Sequence, residues 1–283
     1  MAAFVRTMTA GMVKLDDGST WVQTVTVSID KVAGVEVAVQ QRGFAMPTWQ
    51  VNGYDGPGLE QSLAEIKALG ATWVEFTPTW YQDTRYSNVM TRTARTVSDE
   101  GLERAITLAH QFGLQVLLKP HIDLPNAATD SRTNIAPTDR TAWFSAYTAF
   151  ITHYAEIAQR SGVEEFSVGT DLSSVIDDRT NWLAVIQAVR NRYDGIVLYA
   201  AGREWTQVPF WDALDMIGLD AYVPLSPTST TDVTALQAAM EPYVHVMAEL
   251  SARYGLPIVF TEAGFTSQTG TTTNPASWLI STV

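Results

Sequence analysis

This sequence lacks cysteine, an excess of basic residues and long apolar runs. It has no cysteine, which excludes disulfide bonds and thiolate metal sites. It has 18 Lys and Arg against 30 Asp and Glu, a net charge of −12, whereas a nucleic-acid partner requires a basic surface. No stretch of about 18 apolar residues occurs, so the sequence predicts no membrane span. The negative charge fits a neutral substrate such as a sugar, and it equally fits simple solubility.

Signals for metals and cofactors are also scarce. The chain has four His, none of them in a helical His-Glu-x-x-His pattern, and it has neither a Gly-rich phosphate-binding loop nor a lysine in a Schiff-base context. We therefore expect no metal and no organic cofactor. The first 16 residues lack the continuous apolar stretch of a signal peptide, which fits a cytoplasmic location or secretion with the signal removed.

Strand-like and helix-like segments alternate along most of the chain. Its 283 residues, 46% of them hydrophobic, suffice for one large domain, and α/β barrels take about 250 residues. Short apolar runs predict strands, and amphipathic or capped segments predict helices between them. The predicted strands are 35–44, 72–77, 114–119, 166–169, 196–200, 216–219 and 257–260. The predicted helices are 58–69, 98–112, 139–160, 181–193, 210–214 and 232–254, the last interrupted or distorted near Pro242.

This order predicts a (β/α)8-type TIM barrel that lacks a normal eighth β/α unit. The 21 residues after Glu262 are too few for an eighth strand with its helix. Trp21 to Ser28 alternates apolar and polar residues after a turn signal at Asp16–Gly18, which predicts a β-hairpin. We therefore expect a hairpin extension over residues 1–34 and a barrel domain over residues 35–283. Either this barrel is truncated before its eighth strand, or the hairpin or a partner fills the gap. The open barrel edge would be covered by the hairpin or by a homo-oligomer.

Two of the predicted strands end in a carboxylate. Asp171 follows the apolar run Phe166–Gly169, and Glu262 follows the run Pro257–Phe260. In a β/α barrel every strand's C-terminal end faces one pocket, so two carboxylates there could act as acid/base and nucleophile on a glycosidic bond. From the residues alone, Asp171 could equally be a helix N-cap, and Glu262 could be a structural ion-pair partner.

Six segments of the chain carry a family resemblance. They are Gln41–Phe44, Leu118–Asp123, Phe166–Leu172, Tyr199–Ala201, Phe210–Tyr222 and Phe260–Phe265. In their order and spacing, these segments together resemble glycoside hydrolase family 113, a β-mannanase family of the clan A β/α-barrel hydrolases. The resemblance covers roughly residues 38 to 266.

The resemblance implies a retaining glycoside hydrolase that cleaves a β-linked polysaccharide, with β-1,4-mannan as the favoured substrate. Clan A enzymes carry the acid/base after strand four and the nucleophile after strand seven, which are the positions of Asp171 and Glu262. Asp171 departs from the family, which has a Glu there. The missing methylene withdraws the carboxyl by ~1.5 Å, and a misplacement of about 1 Å can cost about 100-fold in rate. We therefore expect a hydrolase of weak activity.

Five further residues are candidates for substrate binding. They are Lys119, His121, Thr170, Asp220 and Tyr222. Lys119 and His121 alternate at the end of the third strand, so both side chains can face the pocket. The resemblance implies that these two bind substrate hydroxyls or hold the nucleophile's charge, and that Tyr222 donates a hydrogen bond to the nucleophile. An ordinary hydrogen-bonded histidine is the competing interpretation of His121.

Aromatic side chains could form the walls of a sugar site. Trp80 and Trp205, each just past a predicted strand end, are candidates to stack on the apolar faces of sugars. The chain has nine Trp, most of which must pack in the core or rim, and this is the competing interpretation for both residues. The clan usually supplies a tryptophan from strand eight as the floor of the sugar site, and Trp278 is the only late tryptophan here.

Two alternatives to a working mannan hydrolase stay open. The chain could be a catalytically impaired carbohydrate-binding barrel, or a domain of a larger, phage-tail-like assembly. The aspartate at position 171, the N-terminal hairpin and the missing eighth strand favour this alternative. The chain could also be a barrel enzyme of another class, since the fold alone fixes no chemistry. For the hydrolase and for the binding barrel, the expected partner is a carbohydrate.

Overall fold

A computed structural model gives the fold, and it describes residues 41–125, 130–265 and 269–276 with four short strands nearer the N-terminus. These four are β1 (Met12–Lys14), β2 (Thr20–Val22), β3 (Lys31–Val32) and β4 (Val35–Glu36). The later strands are β5 (Gly43–Pro47), β6 (Trp73–Thr77), β7 (Thr79–Tyr81), β8 (Gln115–Leu118), β9 (His121–Asp123), β10 (Glu165–Thr170), β11 (Ile196–Ala201), β12 (Met216–Asp220) and β13 (Ile258–Glu262). The helices are α1 (Pro57–Ala68), α2 (Asp99–Gln111), α3 (Arg140–Ser161), α4 (Arg179–Arg190) and α5 (Val233–Tyr254). Single turns of 3-10 helix lie at Arg132–Asn134, Ser173–Val175 and Trp211–Ala213.

Seven parallel strands form the main sheet, in the order β5, β6, β8, β10, β11, β12 and β13. Because these strands are parallel, their C-terminal ends lie at one rim of the barrel, and helices follow most of them. The predicted (β/α)8-type barrel without a normal eighth unit is confirmed, and the described residues contain no eighth parallel strand. Just beyond β6 and β8, strands β7 and β9 pair in parallel and continue toward that rim. No described helix is long and apolar enough to cross a membrane.

The two ends of the sheet, β5 and β13, border one small cavity. No pairing between them is present in the part of the chain that the structure describes. Ala45 of β5 and Thr261 of β13 nevertheless line one cavity of about 10 Å³, roughly the space of a single water molecule. The barrel is therefore nearly closed with seven strands.

The N-terminal strands form two separate ladders. β1 pairs antiparallel with β2, with Met12 opposite Val22, on either side of the predicted turn, which confirms an N-terminal hairpin. β3 pairs antiparallel with β4. The pairings described for these four strands join them to one another and not to the barrel sheet. The domain division, the homo-oligomer and the covering of the barrel edge therefore stay predictions, and residues 23–28 and Trp278 lie outside the described residues.

Two predicted elements differ from the structure, and one of them is the helix predicted at 210–214, which is a single 3-10 turn over Trp211–Ala213. The first barrel strand was predicted over 35–44, but β5 begins only at Gly43, because Val35 and Glu36 pair back onto Lys31 and Val32 instead. The last helix was predicted to be interrupted or distorted near Pro242, and α5 continues through this proline without interruption. A proline removes one backbone hydrogen bond from a helix and can be absorbed by a bend, so it does not have to end the helix.

Capping residues and aromatic packing fix the elements that carry the rim. Ser98 Oγ accepts the N–H of Gly101 at the start of α2, which satisfies one of the first-turn donors that have no partner within the helix. Around α3 and α4, Trp182 and Tyr199 pack at 5.5 Å between ring centroids. Gly169 of β10 lies against these rings, since a Cβ there would come within 2.8 Å of Tyr199. This close contact positions the end of β10.

Candidate active site

A buried lysine lies at the centre of the rim. Lys119 directly follows β8, and its side chain has no exposed surface. Its Nζ lies 2.5 Å from Glu262 Oε1, 3.2 Å from Asp220 Oδ1 and 3.1 Å from Glu75 Oε1. The three carboxylates come from β13, β12 and β6, so one ammonium group joins four strands. It donates hydrogen bonds to Glu262 and Asp220, while Glu75 lies at ion-pair distance only.

Glu262 is the carboxylate of this cluster that reaches solvent. It ends β13, and 19% of its side chain is exposed. The hydroxyl of Tyr222 donates to Glu262 Oε2 over 2.9 Å, the contact that the resemblance implied. Burial would raise the pKa of Glu262, but the charge and hydrogen bond of Lys119 outweigh it, and the net pKa is lowered. Glu262 is therefore held ionised. Its Oε1 accepts a hydrogen bond from the ammonium group of Lys119, and its Oε2 accepts one from the hydroxyl of Tyr222.

The other two carboxylates of the cluster behave differently. Burial raises the pKa of Asp220 well above its ordinary value, and the charge of Glu262 adds to this effect. Burial likewise raises the pKa of Glu75, against the opposing charge of Lys119. Thr261 Oγ1 donates to Asp220 Oδ1 over 2.7 Å and fixes that side chain. In the described part of the chain, no group of three His, Asp or Glu is placed to hold a metal ion.

Asp171 lies across the rim, directly after β10. Its φ of 54° is in the left-handed region, which Asp tolerates better than most side chains. Its N–H donates to Ala200 O over 3.0 Å, and Arg132 Nη1 lies 3.6 Å from its Oδ2. Burial raises the pKa of Asp171 to about 7, with Arg132 opposing the rise and Glu262 adding to it. About a quarter of the side chain, 24%, is exposed, so the carboxyl can be reached from the cleft.

Arg132 and His121 fill the space between β9 and Asp171. Arg132 donates from Nε and Nη2 to Asp123 Oδ1, over 3.1 and 2.6 Å. Burial lowers the pKa of His121 well below its ordinary value, and the charges of Arg132 and Lys119 lower it further. The imidazole is therefore neutral at neutral pH. Its Nε2 is buried without a hydrogen-bond partner among the described residues.

Comparison with known proteins identifies the family of this barrel. The sequence profile of Glycoside Hydrolase Family 113 matches residues 44–282. The chain belongs to glycoside hydrolase family 113. It is a clan A glycoside hydrolase with the TIM-barrel fold of that family.

Solved structures of family 113 are similar to this chain over most of its length. One described as a GH113 β-1,4-mannanase is 26% identical, with 84% of this chain and 77% of that chain covered and a TM-score of 0.76. A complex of a GH113 β-1,4-mannanase is 27% identical, with the same coverage and a TM-score of 0.73. The GH113 β-mannanase AaManA from Alicyclobacillus acidocaldarius, in complex with ManMIm, is 25% identical, with 76% and 68% covered and a TM-score of 0.68. No curated protein sequence matches the chain.

The family 113 rim brings together most of the residues that the sequence singled out. Lys119, Asp220, Tyr222 and Glu262 form one hydrogen-bonded group. Asp171 does not cap a helix, because the following 3-10 turn has Leu172 at its N-cap position and makes no side-chain cap bond. The ion-pair interpretation of Glu262 holds for its contact with Lys119, but it does not account for the exposed part of the carboxylate.

Three other predicted residues, Thr170, Trp80 and Trp205, lie outside this hydrogen-bonded group. Thr170 ends β10 and is buried, and its Oγ1 has no partner among the described residues. Trp80 donates from its indole to Tyr154 OH over 2.9 Å and packs on Phe150 of α3, which favours the packing interpretation for this tryptophan. Trp205 is half-buried, and its carbonyl accepts the indole N–H of Trp211. The roles of Thr170 and Trp205 in sugar binding stay predictions.

Sequence reasoning missed three charged residues of the rim. Glu75 could have been found, because a carboxylate in the middle of the apolar run Trp73–Thr77 needs a buried partner. Arg132 and Glu204 lie on loops after the third and fifth barrel strands, where no periodic pattern fixes the direction of a side chain. Only the folded loops show that both approach Asp171.

Proposed function

We propose that this family 113 chain is a retaining hydrolase of β-1,4-mannan, with Asp171 as acid/base and Glu262 as nucleophile. The observation that carries the proposal is the opposite pKa shift of these two carboxyl groups at one rim. The pKa of Asp171 is raised to about 7, whereas the pKa of Glu262 is lowered. A protonated acid and an ionised nucleophile are the pair that the first step of retaining hydrolysis needs.

In the first step, Asp171 gives its proton to the glycosidic oxygen while Glu262 attacks the anomeric carbon. The bond from that carbon to the leaving sugar breaks, and an ester between the sugar and Glu262 forms. Lys119 and Tyr222 hold the two oxygens of Glu262 before the attack, so little reorganisation is needed when the charge moves onto the sugar.

In the second step, the ionised Asp171 takes a proton from water as that water attacks the anomeric carbon. The ester breaks, Glu262 leaves as a carboxylate, and Asp171 is protonated again for the next cycle. The anomeric configuration of the product is that of the substrate, because two inversions have occurred.

The substrate part of the proposal rests on the family relatives and on the polar atoms of the rim. The similar solved structures are described as β-mannanases and β-1,4-mannanases. The buried Nε2 of His121 and Oγ1 of Thr170 have no partner in the described structure and could bond sugar hydroxyls. A neutral polysaccharide is also compatible with the net charge of −12.

The nucleophile is tested with an aryl β-mannoside and with mannan. Glu262→Ala should lose nearly all hydrolysis of both, and added azide should restore turnover of the aryl mannoside as the α-mannosyl azide. Glu249→Gln on the exposed face of α5 is the matched control and should retain wild-type rates. A β-configured azide product, or full activity of Glu262→Ala, would contradict the assignment.

The acid/base is tested through the leaving group. Asp171→Asn keeps a side chain that tolerates the positive φ and removes the proton. We expect about 10²- to 10⁴-fold lower kcat/KM on mannan, and a much smaller loss of the first step on a dinitrophenyl mannoside, whose leaving group needs no proton. Equal losses on both substrates would mean that Asp171 is not the proton donor.

A second candidate is a carbohydrate-binding barrel with little or no turnover. The side chain of Asp171 is short, and Arg132, 3.6 Å away, opposes its protonation. If this candidate is correct, the wild type binds mannan oligosaccharides without releasing product. Asp171→Glu would then separate two cases, since a gain of fourfold or more would identify a shortened acid/base, and no gain would leave binding as the function.

A further inference from the structure

A fourth buried carboxylate stands beside Asp171, outside the Lys119 cluster. Glu204 lies in the loop after β11 and is 5% exposed. Its Oε2 accepts the hydroxyl of Ser173 over 2.9 Å, and its Oε1 accepts the hydroxyl of Tyr199 over 3.3 Å. Nothing in the two-step mechanism above uses this residue, although it lies at the same rim.

One partner of Glu204, Ser173, belongs to the turn that carries Asp171, and the other, Tyr199 of β11, contacts that turn. Tyr199 OH, which donates to Glu204, also accepts the N–H of Leu172 over 2.9 Å. Ser173 is the next residue of the same turn. Glu204 is therefore connected to both residues that follow Asp171, one through a tyrosine and one directly. These bonds hold the chain where it adopts the left-handed backbone of Asp171.

The carboxyl groups of Asp171 and Glu204 approach each other over Gly202. A Cβ at Gly202 would lie 2.3 Å from Asp171 Oδ1 and 3.4 Å from Glu204 Oε2. Any side chain at this position would therefore displace the Asp171 carboxyl. The glycine leaves the two groups close enough for their charges to interact strongly.

We propose that Glu204 is a positioning residue for Asp171, holding its turn in place and opposing its ionisation by negative charge. The inference rests on the proposed acid/base role of Asp171. The negative charge of Glu204 offsets the positive charge of Arg132, which favours the ionised form of Asp171. A short aspartate beside an arginine stays protonated more readily when a second carboxylate faces it.

Charged groups on several surrounding elements act on Asp171, and Asp171 in turn raises the pKa of Asp220 on β12. Burial raises its pKa, Arg132 and Lys119 lower it, and Glu262 and Glu204 raise it. Replacing Glu204 by glutamine keeps the size of the side chain and a hydrogen-bonding oxygen but removes the charge. We expect the pKa of Asp171 to fall by about one unit, as expected for loss of one nearby like charge.

The test is the pH profile of kcat/KM for mannan hydrolysis in wild type, Glu204→Gln and Ser173→Ala. In Glu204→Gln the basic limb should move about one unit to lower pH, with roughly tenfold loss above the limb and little loss on the acid side. In Ser173→Ala the charge remains, so the basic limb should stay in place. A basic limb that stays in Glu204→Gln, or moves equally in both variants, would overturn the proposal.

A second measurement separates this inference from the proposed function. The side-chain carboxyl carbon of Asp171 is followed by NMR titration and assigned with Asp171→Asn. If the wild type cleaves no mannan but this titration moves to lower pH in Glu204→Gln, the coupling stands and the hydrolase proposal fails. If mannan is cleaved and the titration does not move, the role of Glu204 is refuted while the hydrolase proposal remains.

Discussion

Glu165 offers a direct test of how burial controls a carboxyl group in this barrel. It is the first residue of β10, five positions before Thr170, and it lies at the end of the strand opposite the proposed site. Its side chain is buried, and Gln41 Nε2 donates to Oε1 while Oε2 has no partner among the described residues. Burial raises the pKa from 4.5 to about 7, against the hydrogen bond from Gln41.

The sign and size of the effect follow from proton linkage. The unfolded chain loses this proton near pH 4.5, whereas the folded chain keeps it until about pH 7. Between these values the folded state binds more protons, so rising pH destabilises the protein, and the loss is complete above the folded pKa. At 1.36 kcal/mol per unit, Glu165 should remove about 3 kcal/mol of unfolding free energy between pH 4.5 and pH 8.

Glu165→Gln removes the titration and keeps an oxygen that can accept from Gln41. We expect the variant to match the wild type within about 1 kcal/mol at pH 4.5 and to exceed it by about 3 kcal/mol at pH 8. Urea unfolding at several pH values measures the difference. Glu156→Gln, at an exposed residue paired with Arg192, is the control and should show less than about 0.5 kcal/mol of difference at every pH.

Two outcomes would refute this reasoning. If Glu165→Gln and wild type differ by the same amount at all pH values, Glu165 does not change its protonation on unfolding in this range. If the variant is less stable than the wild type at pH 8, the ionised carboxylate is stabilised in the fold by something that the structure does not show.

Three further changes probe the site and the scaffold. Tyr222→Phe removes a hydrogen-bond donor from Glu262, so the acid limb of the kcat/KM pH profile should move to higher pH by as much as about one unit, with about tenfold loss of rate. An acid limb that stays in place would argue against this contact. Arg132→Met removes the cation beside Asp171, so the basic limb should move to higher pH, opposite to Glu204→Gln, in the same pH profiles. Ser98→Ala should cost about 1 kcal/mol in urea unfolding through the lost cap of α2, and no loss would mean that water replaces it.

The order of strands and the two strand-end carboxylates could be predicted from the sequence. Apolar runs mark where buried strands end, and the parallel topology then brings those ends to one rim. This is why Asp171 and Glu262 are found where the sequence suggested, and why Lys119 and Asp220 lie beside Glu262. Strand alternation fixes the side of the sheet that a side chain faces, so these residues could be placed without coordinates.

Side chains on loops and strand extensions could not be placed in the same way. Trp80 follows a predicted strand end, but it lies on β7 and faces α3, because alternation continues past the interruption at Pro78. Arg132 and Glu204 are positioned by turns whose geometry depends on partners distant in sequence. The start of β5 was misplaced because Val35 and Glu36 pair locally with Lys31 and Val32, and an apolar run does not by itself show which strand it pairs with.

The lysine cluster also bears on when activity can first arise as the chain folds. The hydrogen bond from Lys119 to Glu262 joins residues 143 positions apart, and the one to Asp220 joins residues 101 positions apart. Contacts of such long separation form slowly, because closing the intervening chain into a loop costs conformational entropy. An intermediate that lacks β13 would bury Lys119 without Glu262 beside it. Hydrolysis is therefore a readout of the completed native barrel, and recovery of activity during refolding should follow the last step of sheet assembly.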